Sequence, residues 1–379
     1  MSAENQIIPT EALREKIRKY SKNIRDIKRN CENDSLRFGL GEIQSKIIEL
    51  ENLTEKDVQG LANRIKRRKH ASAEDMYRLS HAFLQGIGNI RAFSMIPGAI
   101  QTLVKELTGT NAEQQFHACE TLCNLSLGEA PVCEKIASMA GSYLVTYLDC
   151  TEERLKRTCL WTLTNIMATG GKGALVLISM EIVPKLVTIY LQEDNEDDYR
   201  EDAAVALDVI TSDENIKLRP SDLECLLLKF HTKNPTSPGA EYHLRIIFNS
   251  GIIVPGVILT EEQVNYLMNF SVANLSQTEN FEGIPNRMRI LYAIRLLANL
   301  LALDSACFNI LIDKCTIWNT NLVKLLNRLF EIKNKQLSVE VLWLVKNIVA
   351  CQSNSFPASY FFENLHIPGD SLPPVTTVS

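Results

Sequence analysis

Two short patterns in this 379-residue chain place reactive or recognition side chains at a fixed spacing. The first is His117, Cys119 and Cys123, three metal-type donors within one short stretch. Zinc takes four such donors, usually from two close pairs, yet no second pair stands nearby and no Cys-x-x-Cys occurs. The expectation is a plain helical core with no metal. The second pattern is Trp161 with Asn165, repeated as Trp343 with Asn347. Four residues make one helical turn, so each pair puts an indole and a carboxamide on the same face. A carboxamide donates to and accepts from a main chain, and an indole face receives aliphatic or cationic stems. This is recognition chemistry. The six His are scattered, and no nucleophile elbow, zinc-protease helix, phosphate loop or dinucleotide fingerprint occurs. The chain is expected to be no enzyme and to use no cofactor.

Helices must position those pairs. On 155–168, Cys159, Leu160, Leu163, Ile166 and Met167 form a core stripe that leaves Trp161 and Asn165 opposite. On 339–349, Val341, Leu342, Val345, Ile348 and Val349 do the same for Trp343 and Asn347. Aligning the helices on such a polar residue gives Asn89, Asn124, Asn165, Asp208, Asn249, Asn299 and Asn347, at intervals of 35, 41, 43, 41, 50 and 48. The residues two and five before each are apolar throughout. Pro97, Gly141 and Pro184, at intervals of 44 and 43, mark the opening of a preceding helix. This period belongs to armadillo and HEAT repeats.

The predicted fold is all-α, an armadillo-repeat right-handed superhelical solenoid with a basic N-terminal helical arm. About seven units over 76–366 cover their apolar faces by stacking. The aligned residues then line a groove, with Trp161, Asn165, Trp343, Asn347, Asn124, Asn299, Asn249 and Asn89 as peptide-binding candidates. Because both indoles point away from the core stripe, replacing Trp161 and Asn165 by Ala is expected to leave the fold nearly intact.

Charge divides the chain. Residues 1–69 hold 16 Lys+Arg against 11 Asp+Glu, and residues 70–379 hold 24 against 34. A basic arm on an acidic body suits a body that receives basic peptides and an arm that docks on an acidic partner. It does not suit a nucleic-acid-binding body. Residues 1–40 form the arm, and 41–75 a helical segment interrupted near Asn52–Thr54. That segment ends in a basic cluster of Arg64, Lys66, Arg67, Arg68 and Lys69. The cluster reads as a solvated helix end, a localisation signal, or an internal mimic of cargo. Glu193–Asp202, with seven carboxylates, reads as a solvated inter-repeat loop, and 367–379 as a disordered tail. The ten cysteines read as reduced, mostly buried thiols. No stretch approaches the roughly 20 apolar residues of a membrane span, and the N-terminus has no apolar leader core. Neither membrane nor secretion is expected.

Leu160-Trp161-Thr162-Leu163-Thr164-Asn165-Ile166 and Leu342-Trp343-Leu344-Val345-Lys346-Asn347-Ile348 resemble the Trp-x-x-x-Asn helices of the importin alpha family. These are armadillo adaptors that carry nuclear-localisation peptides. Ile24-Arg25-Asp26-Ile27-Lys28-Arg29, within 13–38, resembles an importin-beta-binding segment, and Ser142–Leu148 with Ser338–Leu344 resemble a narrower branch of the family. The resemblance implies a nuclear import adaptor of cytoplasm and nucleus. Its groove would bind a basic or extended peptide of a client protein. An importin-beta-type transport receptor would dock on Arg14, Lys16, Arg18, Lys19, Arg25, Lys28, Arg29 and Arg37. The positions equivalent to the family's Trp read Gln85, Glu120, Trp161, Ala204, Arg245, Arg295 and Trp343, so only two of the seven match. The alternative is a scaffold outside any transport route, or a dedicated chaperone for one folded partner.

Overall fold

The computed structural model describes residues 53–192, 197–213, 215–229, 240–251, 258–277, 284–332, 334–351 and 363–367. Among them lie seventeen helices and no strand. They divide between two compact units, residues 1–190 with 198–217 and residues 191–197 with 218–379.

The first unit opens with α1 (Glu55–Arg68), α2 (Ala73–Gln85), α3 (Ile87–Ser94), α4 (Ala99–Leu107) and α5 (Ala112–Leu125). It continues through α6 (Ala130–Tyr147), α7 (Glu153–Ala168), α8 (Gly171–Ser179), α9 (Ile182–Leu191) and α10 (Asp197–Ser212). Helix α1 starts where the sequence pattern breaks. The Thr54 hydroxyl accepts the Asp57 N–H, and the Asp57 carboxylate accepts the Thr54 N–H, a reciprocal capping box. Val58, Leu61, Ala62 and Ile65 are buried against α2, α3 and α4. The segment is thus the first layer of the unit. Ser72 and Asp75 cap α2 in the same way.

Helix α2 packs on α5, and α5 on α7. Between these stacked helices the chain turns a left-handed corner at Gly98 (φ 90°) and again at Glu181 (φ 61°), separating α3 from α4 and α8 from α9. Glycine enters this region freely, whereas Glu181 is held there at some cost. The repeat between them lacks such a corner, so its first two helices fuse into the 18-residue α6. Gly141 therefore lies inside a helix, correcting the expectation that it opens one. A Cβ there would stand 3.1 Å from Leu177 Cδ2 and 3.2 Å from Met180 Sδ. The missing side chain is what lets α6 and α8 approach. Pro97 stands just before α4 and Pro184 in the first turn of α9, positions proline tolerates.

Residues 197–202 also differ from expectation. They form the first turns of α10, with Tyr199 and Asp202 buried, where a solvated loop was expected. Carboxylates at a helix N-terminus are favoured by its unpaired N–H groups.

The second unit contains α11 (Pro220–Lys229), α12 (Ala240–Asn249), α13 (Glu261–Gln277), α14 (Ile284–Leu303), α15 (Cys307–Ile317), α16 (Leu322–Glu331) and α17 (Lys335–Ala350). Helices α12, α14 and α17 stack in that order, while α13 packs on α14 and α15, and α16 on α17. A left-handed Asn319 (φ 47°) separates α15 from α16. The single 17-residue α13 takes the place of two helices. Among the described residues, no single helix is long and apolar enough to cross a membrane.

Candidate functional site

The aligned Asn residues do most of their work inside the protein. Asn124 Nδ2 donates to the Ser80 carbonyl at 3.2 Å and to Ser80 Oγ at 2.6 Å. Asn165 Nδ2 donates to Ser126 Oγ at 3.1 Å and to the Cys123 carbonyl at 3.4 Å. Asn347 Nδ2 donates to the Ala298 carbonyl at 2.8 Å. All three side chains are buried. Each accepting carbonyl belongs to the residue just before the aligned position of the preceding helix. These three residues are staples between repeats, and their amides are not free to clamp a peptide.

The same register identifies His81 as the α2 member, 43 residues before Asn124, in place of Asn89. The backbone breaks at Gly86, so Asn89 falls in α3 and donates to the carbonyls of Leu53 and Ala82. This corrects the alignment at its shortest interval. Asp208 is fully buried and accepts from Ser212 Oγ at 3.3 Å.

Trp161 is also corrected. It is only 3% exposed, and its Nε1 donates to Asp202 Oδ2 at 2.7 Å. Arg157 Nε donates to the same oxygen at 3.3 Å, and its guanidinium lies 5.6 Å from the indole centroid. A carboxylate buried this deeply needs such partners. Every residue of α7 from Thr158 to Met167 is buried. Over these residues the helix has no outward face, and the side opposite its apolar stripe meets the next repeat through Trp161 and Asp202.

The second unit differs. Trp343 is 48% exposed, with exposed Val339 one turn before it and the Lys346 ammonium 4.8 Å from its ring centroid. On the neighbouring α14, Arg295 donates from Nε and Nη2 to Glu340 Oε1 at 2.9 and 2.6 Å. The same guanidinium sits 5.4 Å from the Phe248 centroid and 5.3 Å from that of Tyr292. Arg245, on α12, lies 5.5 Å from the Tyr292 centroid. Asn299 is half-buried, and its carboxamide makes no hydrogen bond to another described residue. Asn249 is half-buried at the end of α12. The α12–α14–α17 face thus joins guanidinium groups, aromatic rings, one exposed indole and one available amide. The positions Arg245 and Arg295, which the Trp-x-x-x-Asn pattern reads as interruptions, tie its helices together.

Arg14, Lys16, Arg18, Lys19, Arg25, Lys28, Arg29 and Arg37 lie outside the described residues, as does the tail 368–379. Lys66, Arg67, Arg68 and Lys69 are exposed on the last turn and C-cap of α1, and Arg64 is paired with Asp75. The cluster forms the end of a helix. His117 Nδ1 contacts Glu120 Oε2 at 3.3 Å, whereas Cys119 Sγ lies 3.4 Å from Cys159 Sγ. Burial pushes the Cys119 and Cys123 thiols well up, which disfavours the thiolate a metal requires. No group of three metal-type donors occurs among the described residues.

No protein-family model matches the chain. Among solved structures, an engineered protein superposes with a TM-score of 0.58 at 19% identity, covering 78% of this chain and 71% of that one. A computationally designed armadillo repeat protein for modular peptide recognition gives 0.42 at 15% identity, covering 76% and 99%. Another designed armadillo repeat protein gives 0.40 at 16%, covering 81% and 100%. Likeness at this identity concerns the fold alone, and only the first score exceeds one half. On its stacked two- and three-helix units and their period, the chain has an all-α repeat fold of armadillo type.

Proposed function

We propose that this chain is a non-enzymatic scaffold that holds an extended segment of a client protein on the α12–α14–α17 face of its second unit. One observation carries the reading. Trp343 stands half in solvent on a stacked helix whose next-turn amide, Asn347, is occupied as a staple. Large aromatic side chains are normally withdrawn from water, and exposed ones concentrate binding energy at interfaces. On the adjacent helix α14, one turn after Arg295, Asn299 offers a carboxamide without a described partner, the group a peptide main chain would use. Random peptides selected by display on the full chain test this. Selected peptides should bind Trp343→Ala and Asn299→Ala at least tenfold more weakly. Affinity unchanged from the wild-type chain in both variants would refute the reading.

A second reading, the nuclear import adaptor, is favoured by a different observation. The net charge of residues 1–69 is positive, and Lys66–Lys69 are exposed. In this reading the arm engages an importin-beta-type receptor, and the protein moves between cytoplasm and nucleus. Reversing Arg14, Lys16, Arg18 and Lys19 to Glu in the full chain should then abolish receptor binding. Retained binding would dismiss the reading. Removing all of residues 1–69 is a poorer test, because it strips the buried Val58, Leu61 and Ile65 of α1 from the first unit.

A further inference from the structure

Resting on the scaffold reading of the second unit, the geometry points to an acidic segment as the occupant of the Trp343 face. The acid excess of the body lies elsewhere. Residues 70–217 hold 11 Lys+Arg against 21 Asp+Glu, whereas residues 218–379 hold 13 of each. On the face itself stand Arg245, Arg289, Arg295 and Lys346, against Glu241 and Glu340.

Two of these cations are built to receive a carboxylate. A guanidinium carries five N–H donors in one plane. Glu340 engages Arg295 through a single oxygen, Oε1, bonded by Nε and Nη2. The remaining donors meet no other acceptor among the described residues, and Phe248 and Tyr292 hold the group in place by their ring faces. Lys346 is exposed, and its ammonium is kept over the Trp343 ring. Glu340, which holds Arg295, then Trp343 and Lys346 follow at three-residue steps along α17, so the exposed Trp343 with Val339 forms an apolar step between the two charges. An extended chain with an apolar side chain on the indole and carboxylates on either side meets Arg295, Lys346 and Asn299 together. A basic segment would instead bring like charges against both cations.

Three labelled octapeptides, alternating Leu with Glu, Gln or Lys, test the inference on the full-length protein by fluorescence anisotropy. The Glu peptide should bind at least tenfold more tightly than the Gln peptide, and this advantage should shrink as salt is added. Arg295→Gln and Lys346→Gln should each weaken the Glu peptide about tenfold, the weight of one charge-assisted contact, and leave the Gln peptide unchanged. Trp343→Ala should weaken both peptides. Lys346 is exposed, so Lys346→Gln keeps the test valid should Arg295→Gln unfold the unit. Gln or Lys peptides that bind as tightly as the Glu peptide, and still lose affinity in Trp343→Ala, would overturn the acidic occupant and leave the scaffold reading standing. Indifference of every peptide to Trp343→Ala would overturn the scaffold reading of this face itself.

Discussion

Two indoles that look alike in the sequence should respond oppositely to truncation. Trp161 is 3% exposed, and a buried aromatic of this size removes about 150–250 Å² from water. At about 25 cal/mol per Å² that burial is worth about 4–6 kcal/mol, in line with the roughly 3–5 kcal/mol lost when a core Trp becomes Ala. Truncation also deprives the buried Asp202 carboxylate of its 2.7 Å indole donor. Trp161→Phe separates the two effects. It keeps most of the ring but removes the donor, and should cost about 1–3 kcal/mol. Trp343 covers roughly half as much surface, worth about 2–3 kcal/mol by the same rule, and leaves no closed cavity, so Trp343→Ala should cost clearly less than Trp161→Ala. Urea unfolding followed by circular dichroism, with midpoint and slope fitted for each variant, measures the difference. Comparable losses for Trp161→Ala and Trp343→Ala would refute the assignment of the first indole to the core and the second to a surface. A cost below about 1 kcal/mol for Trp161→Ala would do so more decisively.

Asn124→Ala should destabilise the first unit by about 1–3 kcal/mol, because the Ser80 carbonyl loses its donor between repeats; the urea midpoint reads this directly. The Thr54 cap holds the Asp57 carboxyl below its ordinary value of 3.8, chiefly through the side-chain hydrogen bond. A lowered folded-state value means this contribution is present above 3.8 and is lost as pH falls through the folded value. The stability gap between wild type and Thr54→Ala should therefore be widest near neutrality and narrow in strong acid, where only the hydroxyl's bond from the Asp57 N–H remains. Burial pushes Cys315 up to about 12 and Cys307 up to about 11. Both should resist iodoacetamide at neutral pH until the chain is unfolded, as read by mass spectrometry of the alkylated peptides.

What the sequence revealed was periodic, and what it concealed was contact between repeats. The polar residue near the end of each stacked helix, spaced 41 to 50 residues apart from Asn124 onward, located the stacking helices correctly. The same residue's role was misread. A helical wheel separates an apolar stripe from its opposite, but α7 is buried all round from Thr158 to Met167, so Trp161 and Asn165 lie opposite the stripe and are still buried. Nothing local distinguishes α7 from α17, which has a similar wheel yet leaves Trp343 exposed. The interval of 35 was a usable signal, since it fell below the armadillo period and marked Asn89 as belonging to another helix. Gly141 was misleading because a glycine that opens a helix and one that admits a neighbouring helix look the same in sequence. The Arg295–Glu340 bridge spans 45 residues and acquires meaning only once α14 and α17 are side by side.

The most direct test of the scaffold reading uses the protein's three tryptophans as reporters. Trp161 is bonded to Asp202 and Trp318 to Asn269, whereas Trp343 stands in solvent. In a ¹⁵N–¹H spectrum assigned by single Trp→Phe variants, a display-selected peptide should shift the Trp343 indole signal and leave those of Trp161 and Trp318 in place. A bound peptide that moves the Trp161 signal, or leaves Trp343 unmoved at saturation, would contradict the account.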